Sequence, residues 1–247
     1  MPEGPSIIIL QEKVRAFRGK TVLAASGGAA IPMKQLKGQK ITGFKTWGKV
    51  FLVCFKSCTI RIHFLLFGSY RINEHTATKP KLHLGFKVGE LNFYACKVDV
   101  LKEDINDLFD FTADVLHDSF NVKAALEKVQ AKPNAIIGDV LLDQHIFSGV
   151  GNIIRNEVLF LSKVHPQSVI AAIPTRKLQE IIRKSVSFSE DFLKWKRKDE
   201  LKKHLKIYKK ETCGNKPVHK QTLGKTGRTA YYCEDVQVLY KEKHGKK

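Results

Sequence analysis

The chain has 247 residues, 43% of them hydrophobic, which is enough for a sizeable core and for more than one domain. Its 43 Lys and Arg against 24 Asp and Glu give a formal charge of +19, a field that attracts polyanions and makes nucleic acid the expected partner. No apolar run reaches the length of a spanning helix, and five scattered cysteines do not read as a disulfide framework, so a cytoplasmic protein with reduced thiols and no membrane partner is expected.

The first six residues, MPEGPS, have the composition of a disordered terminus, yet they put a proline directly behind the first methionine and a carboxylate directly behind that, at Pro2 and Glu3. From Lys20 to about Lys102, the segments KTVLAAS, KITGF, KVFLVCF, TIRIHF, SYRI, KLHLGFK and ELNFYACKVDV alternate apolar with polar residues between Gly, Ser and Asn turns. They predict an all-β sandwich or barrel. One run, FLLF, breaks that alternation. Leu65, Leu66 and Phe67 there read either as part of a strand buried on both faces or as an apolar wedge of the kind inserted between base steps.

After Asp118 the period becomes helical. Val122, Ala125, Leu126 and Val129 recur at helical spacing behind Asn121 as N-cap. PNAIIGDVLLDQHIFSG predicts a second helix ending at Gly149, and NIIRNEVLFLS a third beginning at Asn152. Thr175 is the expected cap of TRKLQEIIRKSVSF. A basic stretch from Lys194 to Lys210 leads into a tail read as two strands joined around LGKTGR, with Arg228 at the turn. Three parts follow from this: residues 1–115, 116–203 and 204–247.

Cys213 and Cys233 flank the tail, but the position of a second cysteine in a C-x-x-C pair is Lys216 in one case and Val236 in the other. Valine has no donor atom and lysine is protonated near neutral pH. His219 and Asp235 would make an irregular set, so no metal and no cofactor is expected.

Taken together, MPEGP, the WGK at 47–49, HFLLFGSYRI at 63–72, LLDQHIFSGVGNIIRNEVLF at 141–160 and GRTAYYC resemble the formamidopyrimidine-DNA glycosylase and endonuclease VIII family, in the family's order. MPEGP and LLDQ resemble the endonuclease VIII branch, and VHP at 164–166 the formamidopyrimidine branch. The resemblance implies an α+β multidomain fold: an N-terminal β-sandwich, a helical helix-two-turn-helix domain and a C-terminal β-hairpin finger. Two departures stand out. Ser6 occupies the place of a second family glutamate, and two of the four finger cysteines are missing, as in zincless members.

The resemblance also implies roles. Pro2, exposed as an amine once Met1 is trimmed, is the nucleophile that attacks the sugar, and Glu3 is its acid–base partner. Lys49 is a charge beside the phosphates, although by itself it reads as an ordinary strand-end lysine. Leu65, Leu66 and Phe67 become the wedge, with Leu66 its expected tip, and Asn152 and Arg228 grip the backbone. Glu157 is either a tether to the N-terminal domain or a solvated side chain. The implied activity is a bifunctional DNA glycosylase and AP lyase acting as a monomer on oxidised pyrimidines, with damaged double-stranded DNA as the implied partner and single-stranded DNA as a further candidate. Oxidised purines, a non-catalytic binder of damaged DNA and a general RNA-binding protein are the alternatives.

Overall fold

The computed structural model describes residues 2–241, so Met1, whose removal the family resemblance implies, lies outside the described residues. Two compact units divide the chain, Met1–Asp110 and Phe111–Lys247.

The first unit opens with a helix that the sequence reading missed, α1 (Gly4–Lys13), with proline in its first turn. Proline is tolerated there because its missing N–H would have no intrahelical partner. Ile7, Leu10 and Val14, spaced three and four apart, are buried on one face, and that spacing was the available signal. Eight strands follow: β1 (Ala24–Ser26), β2 (Gly43–Trp47), β3 (Val50–Cys54), β4 (Thr59–His63), β5 (Ser69–Ile72), β6 (Leu82–Phe86), β7 (Gly89–Tyr94) and β8 (Lys97–Leu101), with a short α2 (Met33–Leu36) after β1. They form two antiparallel four-stranded sheets, ordered β1-β6-β7-β5 and β2-β3-β4-β8. Phe51, Val53, Ile60 and Ile62 of one sheet share a core with Leu82, Leu84, Leu91 and Phe93 of the other, which makes the unit a sandwich. The segment ELNFYACKVDV is two strands rather than one, because Ala95 turns the chain at φ 48° and sends β7 and β8 to different sheets.

The second unit is helical and carries the finger. After α3 (Ile105–Leu108), which closes the first unit, come α4 (Val122–Gln130), α5 (Ile137–Val140), α6 (Asn152–Leu161), α7 (Thr175–Arg197) and α8 (Leu201–His204), then β9 (Thr212–Cys213), β10 (Lys216–Pro217), β11 (His219–Leu223) and β12 (Arg228–Tyr232). Asn121 caps α4 as expected, its Oδ1 accepting the Ala124 N–H at 3.0 Å. Helix α6 begins at Asn152, also as expected.

Two readings need correction. The second helix is confined to Ile137–Val140 and does not reach Gly149. Beyond it, the Asp143 carboxylate accepts the His145 N–H at 3.0 Å, while the Gln144 amide donates to the Leu142 and Val150 carbonyls and accepts from Gly149 N–H. These side chains give the backbone an alternative to the helical ladder. Helix α7 is capped by the Pro174 position rather than by Thr175, and it runs on to Arg197, so the basic stretch starts inside a helix.

Candidate nucleic-acid interface

In the first unit, Pro2 is partly exposed and Glu3 is fully buried at the N-cap of α1, where its carbonyl accepts the Ser6 N–H at 2.8 Å. The helix is fixed to the sandwich by Gln11, whose amide donates to the Phe44 carbonyl at 2.7 Å, and by its buried apolar face. A segment with the composition of a loose terminus is thus anchored by packing that starts four residues later.

Lys49 and Gly48 make the two-residue turn between β2 and β3, and Gly48 adopts φ 50°, as such hairpin turns require. Pairing of Val50 with His63 sets the β4 terminus beside that turn. His63 was not singled out by the sequence reading. Burial, followed by the nearby charges of Lys49, Arg61 and Lys97, holds its imidazole below the ordinary pKa, and its Nδ1 accepts the Leu65 N–H at 3.2 Å. A neutral ring therefore supports the loop that follows.

That loop decides between the two readings of FLLF. Phe64 is buried, but Leu65, Leu66 and Phe67 are 52%, 41% and 86% exposed, which rules out a strand buried on both faces. The turn is tight: the Gly68 N–H donates to the Phe64 carbonyl at 2.7 Å, and a Cβ on Gly68 would lie 2.2 Å from that oxygen. Leu65 sits at φ 51°. Phe67, not Leu66, is the most exposed of the three.

In the second unit the start of α6 is joined to the finger. Asn152 Nδ2 donates to the Thr229 carbonyl at 3.0 Å, and the buried Arg155 guanidinium donates to the same oxygen at 2.8 Å. Asn156 Oδ1 accepts the Tyr231 N–H at 2.8 Å. These bonds hold the first turn of a ten-residue helix against the strand that begins with Arg228. Asn152 Oδ1 is buried and has no hydrogen-bond partner among the described residues. Amide N–H groups at a helix start and a guanidinium on the neighbouring strand are donors suited to phosphate oxygens.

Glu157 is not solvated. It is fully buried, and its carboxylate accepts the N–H groups of Lys206, Ile207 and Tyr208 at 2.8–3.0 Å, which fixes the segment entering the finger. In the finger, the candidate donors beyond the two cysteines contact other side chains. Asp235 pairs with Lys216 at 3.6 Å, His219 stacks on Tyr232, and no three His, Cys, Asp or Glu side chains are grouped to hold a metal among the described residues. No helix among the described residues is long and apolar enough to cross a membrane.

Comparison with known proteins agrees with this architecture. Residues 111–197 match the formamidopyrimidine-DNA glycosylase H2TH domain. The chain is 32% identical over 196 residues to endonuclease 8-like 2 of Mus musculus, covering 72% of this chain and 57% of the relative. It is 28% identical over 234 residues to endonuclease 8-like 3 of Xenopus laevis, covering 88% and 38%. It therefore spans only about two fifths to three fifths of the length of these relatives. A viral DNA glycosylase superposes with a TM-score of 0.85 at 22% identity, covering 96% of this chain and all of that one. The formamidopyrimidine-DNA glycosylase of Lactococcus lactis, solved on DNA containing an abasic site, gives 0.84 at 19% identity, covering 95% and 99%. With the sandwich, the helix-two-turn-helix segment and the finger hairpin all in the expected order, the chain belongs to the formamidopyrimidine-DNA glycosylase and endonuclease VIII family.

Proposed function

We propose that the chain is a bifunctional DNA glycosylase and AP lyase of base excision repair, acting as a monomer on oxidised bases, pyrimidines ahead of purines, in duplex and single-stranded DNA. The observation that carries this reading is the ordered start of the chain, where Glu3 is fully buried one residue after a partly exposed Pro2. A carboxylate taken out of water beside that position is suited to acid–base work on a substrate held there.

In the proposed chemistry the α-amine of Pro2, freed by removal of Met1, is partly neutral near pH 7 and attacks C1′ of the deoxyribose. Glu3 protonates the ring oxygen as the C1′–O4′ bond opens, and the base departs. A secondary amine yields an iminium that keeps its positive charge without an N–H to lose, so it accepts the electron pair when the 2′ proton is removed. The 3′ phosphate is then expelled, and a second elimination releases the 5′ phosphate. Lys49 contributes charge beside the scissile phosphates. Leu65, Leu66 and Phe67 fill the gap left by the extruded nucleotide, at a cost of unstacking of a few kcal/mol. Asn152 and Arg228 hold the phosphates. The finger works without zinc, and a cytoplasmic, nucleoid-associated location suits the substrate.

Borohydride trapping on an abasic-site duplex tests the reaction. The expected product is a covalent adduct at Pro2 that is lost when the terminus is extended or blocked. An adduct at an internal lysine, or activity with Met1 still attached, overturns the mechanism. A panel of single-lesion oligonucleotides then orders the substrates. The oxidised-purine reading has its own support, since the structurally similar Lactococcus lactis enzyme was solved on DNA containing Fapy-dG. One equivalent of bound zinc per chain would refute the metal-free finger.

A further inference from the structure

The turn at 224–227 that joins β11 to β12 is gripped from outside its own hairpin. Asp139 of α5, 86 residues away in sequence, accepts the Lys225 N–H on Oδ2 at 2.7 Å and the Thr226 hydroxyl on Oδ1 at 3.0 Å. The turn backbone lies so close to the carboxylate that a Cβ on Gly224, at φ 70°, would come within 2.3 Å of Asp139 Oδ1. Helix α5 is itself immobilised. Its Ile137 and Gly138 N–H groups donate to the Ser168 and Pro166 carbonyls at 2.9 and 3.0 Å, and Ile137 and Val140 are buried in the core. The other side of the turn is fixed by Asn152 and Arg155 on the Thr229 carbonyl.

Arg228 therefore sits between two anchors, one at residues 225 and 226 and one at residue 229. A two-stranded hairpin is marginally stable by itself, and its turn would otherwise sample many conformations. We propose that Asp139 is a positioning residue for DNA binding: it holds the finger turn so that Arg228 is presented to a phosphate in one arrangement, and the ordering cost is met on folding rather than on binding. This inference rests on the proposed DNA-repair function and adds a residue that takes no part in the chemistry.

Two readouts on Asp139→Ala and Asp139→Asn separate the anchor from the function. Trypsin cleavage after Lys225 and Arg228 reports the turn without any DNA. It is expected to be roughly tenfold faster in Asp139→Ala and intermediate in Asp139→Asn, which keeps one acceptor oxygen, while the thermal midpoint stays near wild type. Binding of an abasic-site duplex by Asp139→Ala is expected to weaken about tenfold, with the borohydride-trapping rate at saturating enzyme within about twofold of wild type. Combined with Arg228→Ala, Asp139→Ala should add little further loss, because it acts through that arginine. Cleavage at the wild-type rate in Asp139→Ala overturns the anchor, and fully additive losses overturn the route through Arg228. Should the wild-type protein neither bind nor trap the duplex, the function falls and this role with it, while the trypsin result still judges the anchor.

Discussion

At the scale of single residues, buried polar groups carry most of the information about the site, because a carboxylate or imidazole taken out of water must find partners. Glu157 illustrates it: three backbone N–H groups converge on one carboxylate, and the helix that supplies Asn152 thereby also anchors the entry to the finger. His63 works in the opposite sense. Its lowered pKa follows first from burial and then from Lys49, Arg61 and Lys97, so the folded state favours the neutral ring that accepts from Leu65. The sign follows directly. The contribution is complete above the ordinary histidine value of about 6.5 and is lost as pH falls through the lowered folded value. An NMR titration should find His63 titrating below an unfolded-peptide histidine, and the thermal midpoint should drop more on acidification in wild type than in His63→Asn. A titration at or above the peptide value would contradict the assignment.

At the scale of elements, the loop between β4 and β5 shows how local geometry builds a protruding apolar surface. Phe64 anchors in the core beside Phe93 and Tyr70, the Gly68 N–H closes back onto the Phe64 carbonyl, and the three residues between them face outward. Exposed large apolar side chains in succession mark a contact surface more often than chance. Gly68→Ala forces its Cβ against backbone at 2.2 Å, so the turn must open. The expected cost is about 2 kcal/mol or more, read as a lowered thermal midpoint, together with weaker binding to an abasic-site duplex. An unchanged midpoint would mean that the loop relaxes freely and does not hold its shape. The finger hairpin makes a related point. LGKTGR was legible as a turn from its glycines, and the register Leu223–Arg228 matches that reading, but its anchoring to α5 was not legible.

At the scale of the whole molecule, a formal charge of +19 sets the response to salt. If six to ten phosphates are neutralised, affinity for duplex DNA should fall by about 10³–10⁵ between 50 and 200 mM salt, and a flat response in a binding titration would remove the polyanion argument. The charge, the strand alternation, the Asn121 cap, the helix starting at Asn152 and the hairpin were all fixed by the sequence alone, since composition, periodicity and capping are properties of neighbouring residues. The length of α5 was misread because Asp143 and Gln144 divert the backbone with side-chain bonds that a hydrophobic pattern does not register. Only the tertiary structure decided that Glu3 is buried, that Leu65 to Phe67 are exposed, that Glu157 serves the finger and that Asp139 holds its turn. The physical reason is distance along the chain. Burial depends on what packs overhead, and the partners of Glu157 and Asp139 lie about 50 and 86 residues away, beyond the reach of any local pattern.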